Sequence, residues 1–153
     1  MRTKDQWFTE YSESHLNETN QLIHYICVPA IFFSIVGLLM SIPSNGISNL
    51  LNINNPFIEN WAALVLLITM FFYIQLSFSV FVRMLTFSII CLVGNYFLSN
   101  VLPLFYTSLF IFVIAWIGQF YGHKLEGKKP SFFKDLQFLL IGPAWVFEKL
   151  LKK

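Results

Sequence analysis

Charge is scarce in this sequence. Asp, Glu, Lys and Arg make up 12% of its 153 residues, against about a quarter in an ordinary soluble domain. A net charge of +2 offers no basic field for nucleic acid, so no nucleic-acid partner is expected. Cysteine is limited to Cys27 and Cys91, each inside an apolar run, and both read as buried thiols rather than a disulfide or metal pair. Histidine is rarer than the function it suggests: His15, His24 and His123 are the full set. Three histidines cannot build the His-rich boxes of membrane di-iron sites, so one metal ion is the limit. Residues 1–20 alternate in charge and contain no apolar core, which argues against a signal peptide. There is no internal repeat and no low-complexity segment.

What the chain has in excess is hydrocarbon. It is 56% hydrophobic with 18 Phe, and its mean hydropathy is +0.64. Four stretches, 22–42, 61–82, 84–102 and 103–121, can each cross about 30 Å of hydrocarbon at about 1.5 Å per residue. The expected fold is an all-α integral membrane helical bundle, a single domain over 1–153 with about four transmembrane helices and membrane lipids around it. Segments 3–14 and 131–151 mix aromatic and charged residues and read as interfacial helices. The first opens with a capping box from Thr3 and Gln6 and offers Trp7, Phe8 and Tyr11 to the interface; the second is broken by Gly142-Pro143. Trp61 and Trp145 read as membrane-belt residues and Arg83 as a snorkelling one, at the junction of the second and third runs.

The basic residues fix an orientation. Residues 43–60 contain no Lys or Arg, and the link "LSNVLP" carries no charge. Lys and Arg occur at Arg2, Lys4 and Arg83 and from Lys124 onward, all on one side of a four-span arrangement. The positive-inside bias makes that side, with both termini, cytoplasmic, in an endoplasmic reticulum or bacterial inner membrane. All three histidines come to the same face, although residues 24 and 123 are far apart in the chain.

Around them the sequence is polar. Asn17 is a good N-cap for a helix running into the first span, with Glu18 in its first turn. Asn20 and His24 share a face of that helix with Asn17, and Pro29 interrupts its hydrogen bonding one turn on. In a continuous helix His15 stands about 180° from His24, so a shared site demands a break near Asn17. Gln119, His123 and Glu126 form one stripe at the end of the fourth span. Gly118 and Gly122 allow close helix approach there, and Gly127 can end the helix. Three neutral imidazoles at one depth suit a single Fe, Zn, Cu or Ni ion. Asn17, Asn20, Gln119 and Glu126 are candidates for fixing the histidine tautomers. Zinc with an activated water and Glu126 as base is one use of such a site, a membrane lipid hydrolase; a lipid-binding protein whose His and Asn only cap helices is another.

These motifs also resemble a family. The pattern Tyr11, His15, Asn17, Asn20, His24, Pro29, followed by Gln119, Gly122, His123, Glu126, Lys128, Lys129, Pro130 and then Gly142, Pro143, Glu148, is similar to that of the membrane-bound Fe(II)-dependent 2-hydroxy-fatty-acid dioxygenases. The interval from His123 to Glu126 is one residue shorter than in that pattern. The resemblance implies α-oxidation: a long-chain 2-hydroxy fatty acid reacts with O₂ and loses one carbon. It implies Fe(II) held by His15, His24 and His123, without 2-oxoglutarate. Tyr11, Asn17, Asn20, Gln119 and Glu126 are then catalytic or supporting candidates. Neither the acyl chain length nor the oligomeric state is legible.

Overall fold

The computed structural model describes residues 3–53, 55–127 and 138–151. Among them there is no strand, and the helices are α1 (Lys4–Glu13), α2 (Glu18–Met40), α3 (Asn45–Leu51), α4 (Trp61–Leu76), α5 (Phe78–Ser99), α6 (Leu104–Leu125) and α7 (Ile141–Leu151). The fold class is thus an all-helical membrane bundle. α2, α5 and α6 are long and apolar enough to cross a membrane, with 23, 22 and 22 residues. Large apolar side chains such as Leu67, Ile68 and Phe71 on α4 and Phe110 and Ile117 on α6 stand exposed, as a lipid-facing surface allows.

Helix starts follow their caps. Thr3 and Gln6 close the expected capping box on α1, Thr3 Oγ1 accepting from the Gln6 N–H and Gln6 Oε1 from the Thr3 N–H. Asn60 Oδ1 accepts from the Ala63 N–H at 2.9 Å and starts α4. α2 continues through Pro29. α6 stops at Leu125, and Gly127 follows at φ +71, a left-handed geometry that glycine adopts without strain.

The break between the second and third apolar runs falls at Ser77, not at Arg83. Ser77 is extended (φ −174, ψ 141) and separates α4 from α5, which pack along each other. Serine is poor inside a helix and good at its start, whereas Arg83 has an aliphatic stem that a helix accommodates, and its Nη2 reaches Ser79 Oγ at 2.9 Å. In consequence α4 has 16 residues, about 24 Å against a core of about 30 Å. α3 was not anticipated either. In the C-terminal segment, 131–137 lie outside the described residues. Gly142 and Pro143 open α7 instead of breaking a helix, since Pro in a first turn lacks only an N–H that has no helical acceptor.

The chain forms two compact units, Met1–Phe32 with Phe112–Lys153, and Phe33–Ile111. All three histidines belong to the first. In the second, Asn95 is fully buried, and its Nδ2 donates to the carbonyl of Phe33 at 3.0 Å and of Cys91 at 2.9 Å. Cys27 and Cys91 are both free thiols. Asn95→Leu removes the bond from α5 to α2, and a loss of about 0.6–2 kcal/mol is expected. Unfolding of the detergent-solubilised variant measures it; unchanged stability would deny the bond any weight.

Candidate metal centre

α1 ends at Glu13 and α2 begins at Glu18, so the chain does break where two histidines needed it to. Asn17 caps the new helix: its Oδ1 accepts from the N–H of Thr19 at 2.9 Å and of Asn20 at 3.1 Å. The turn between the helices is tied down by the Ser12 carbonyl, which accepts from the His15 N–H at 3.0 Å, and by Gln21 Nε2, which donates to the His15 carbonyl at 2.8 Å. His15 is thereby folded over the first turns of α2, onto the face that carries His24.

α6 supplies the third ring. Gly118 and Gly122 let it approach α2: a Cβ on Gly118 would lie 2.6 Å from Cys27 Sγ, and one on Gly122 would overlap Asn20 Oδ1. His123 follows directly. His15, His24 and His123 are all buried, and one ring nitrogen of each lies within 4.8 Å of the others. Ring centroids are 4.3 Å apart for His15 and His24, 4.9 Å for His24 and His123, and 5.3 Å for His15 and His123.

The ring hydrogens have defined partners. His15 Nδ1–H donates to the Tyr11 carbonyl at 2.7 Å, and His24 Nδ1–H to the Asn20 carbonyl at 2.9 Å. Each ring is thereby left with its lone pair on Nε2, the form in which imidazole binds metals. Sequence reasoning assigned this task to the side chains of Asn17, Asn20, Gln119 and Glu126; backbone carbonyls perform it for these two rings. The donor set suits one divalent ion of the Fe, Zn, Cu or Ni type.

Each of the other candidates has its own place. Glu126 lies just past α6, where its Oε1 accepts from the Leu16 N–H and its Oε2 from the Asn17 N–H and Asn20 Nδ2, each at 2.9 Å. Partial burial pushes the Glu126 carboxyl up. The bonds from Asn20, Asn17 and Leu16 outweigh it and hold the group below its usual 4.5. Asn17 is exposed and acts as a cap, whereas Asn20 and Gln119 are buried. Gln119 lines a small cavity with Tyr11 and His24.

Two expectations are corrected here. Tyr11 was placed at the interface, yet it is 4% exposed and stacks on His15 at 4.2 Å with 12° between the planes. Trp145 was read as a belt residue, yet it is 1% exposed. Its Nε1 donates to Ser12 Oγ at 2.8 Å, and its ring lies 5.0 Å from Tyr11 and 5.6 Å from His15. α7 thus packs on α1 behind His15, fastened at its far end by Lys4 Nζ and Glu148 Oε1 at 3.3 Å. Nothing in the sequence distinguishes a belt tryptophan from this one, because both sit beside charged residues near the end of an apolar run.

No curated protein and no solved structure matches the chain. A family model does: the one described as 2-hydroxy-palmitic acid dioxygenase Mpo1-like aligns with residues 1–153, and the chain belongs to that Mpo1-like family.

Proposed function

We propose that the protein catalyses O₂-dependent α-oxidation of long-chain 2-hydroxy fatty acids at one Fe(II) held by His15, His24 and His123. The observation that carries this reading is the convergence of three buried imidazoles in a chain whose family bears a dioxygenase name. The stoichiometry closes without a further reductant: a 2-hydroxy acid plus O₂ gives the acid one carbon shorter, CO₂ and water. Four electrons leave C1 and C2, the bond between them breaks, and O₂ takes all four.

When bound, the ion supplies the charge that holds the hydroxyl and carboxylate of the substrate and the electrons that activate O₂. The chain's residues do the rest. The carbonyls of Tyr11 and Asn20 hold Nδ1–H of His15 and His24, so that Nε2 of each would be the atom to bind the ion. The rings of Tyr11 and Trp145 cover His15 and keep water from that side. Glu126 holds the turn bearing His15 to the end of α6 bearing His123. Its oxygens accept three N–H groups, which hold its carboxyl below the usual value and weaken it as a base. That disfavours the hydrolytic zinc alternative, which needs the base.

The site is assigned to the cytoplasmic face, because basic residues cluster with the ends of the chain that carry the histidines. Cysteines introduced at Ser44 and at Lys128 should then be labelled from opposite sides of intact membranes. Labelling of both from one side contradicts the orientation.

The reaction is tested by mass spectrometry of products after incubation with Fe(II) and O₂. The 2-hydroxy acid should yield the acid one carbon shorter, and the matching unsubstituted acid little or none, because the hydroxyl is half of the chelate. Equal turnover of the two, or product formed without O₂, contradicts the reading.

A further inference from the structure

A small cavity lies against His24. Its wall follows α2 from the histidine through Val28 and Ile31, at i+4 and i+7 on the same face, and Phe138 and Leu139 line it as well. Val28 and Ile31 are 6% and 1% exposed. The volume is about 20 Å³, above the roughly 10–15 Å³ that one water-sized guest needs and far below what an acyl chain fills. Tyr11 and Gln119 bring polar groups to the end nearest the histidine.

We propose that this cavity is a binding site for dioxygen. The inference rests on the reading that O₂ is a substrate, and it adds where O₂ waits and from which side it arrives. Three features agree. The space accepts a diatomic molecule and excludes the fatty acid. The part of the wall away from the histidine is built by Val28, Ile31, Phe138 and Leu139, whose apolar side chains suit an apolar gas. The cavity continues from the site along the face of a helix long and apolar enough to cross a membrane, and O₂ dissolves more readily in hydrocarbon than in water.

The direct test uses O₂ itself as a paramagnetic probe. The full chain, labelled at Val and Ile methyls and loaded with diamagnetic Zn(II), is placed under oxygen pressure in detergent. The methyls of Val28 and Ile31 should relax faster than those of Val146, which is equally buried in the same unit. Equal relaxation means that the cavity holds water or nothing and overturns the proposal, whatever the enzyme does. In the Fe(II) protein, Val28→Leu adds one methylene to the cavity. It should raise KM for O₂ about tenfold, the worth of a methylene in a tight pocket, with metal content and KM for the 2-hydroxy acid unchanged. A rise confined to KM for the acid assigns the cavity to the acyl chain and overturns the proposal. Failure of the parent reading looks different: the wild-type protein then consumes no O₂, and the relaxation measurement still decides whether the cavity takes it.

Discussion

The carboxylate of Glu126 joins the two ends of the chain that carry histidines. It accepts the N–H groups of Leu16 and Asn17 in the turn after His15, and the amide of Asn20 one turn before His24, while it lies three residues after His123, just past the end of α6. The Asn17 N–H at the cap of α2 has no helical acceptor and that of Leu16 lies just before it, so a single anion satisfies both and ties the end of α6 to them. Bonds to an ionised acceptor are among the stronger ones. The carboxyl is held below 4.5, so its contribution is complete above that pH and is lost as pH falls through the lower folded value. At neutral pH the tie is intact.

With that tie in place, the other parts of the centre are local. Asn17 caps α2, the Tyr11 and Asn20 carbonyls orient two rings, and Gly118 and Gly122 remove the side chains that would hold α6 away. α7 adds rigidity from behind, since Tyr11 is held between His15 and Trp145. A buried site made from rings and backbone carbonyls, at the ends of helices whose surfaces are apolar, suits an amphiphile whose head must meet a metal while its chain stays in lipid.

Much of this was legible in the sequence wherever the cause was local. The capping box at Thr3, the cap at Asn17, the break that frees His15 from the face opposite His24, and the small-residue pair at Gly118 and Gly122 all depend on neighbours within about a turn. The split at Ser77 was hidden because the run from Trp61 to Val82 carries no charge, and composition marks the charge at Arg83 more loudly than a serine. The burial of Tyr11 and Trp145 was hidden for another reason: it depends on α7 meeting α1, a contact between the ends of the chain. Glu126 was recognised as a member of the site, but its partners are backbone N–H groups that every residue possesses, so no side-chain pattern could name them.

The central claim is that three histidines, brought together by this carboxylate, form one iron site. Anaerobic titration with Fe(II), followed by metal analysis, tests it directly. The wild-type protein should bind one ion per chain, His123→Ala should lose it, and Glu126→Ala should bind about 10–100-fold more weakly although every histidine remains. Wild-type affinity in His123→Ala, or in a folded Glu126→Ala protein, would contradict the account.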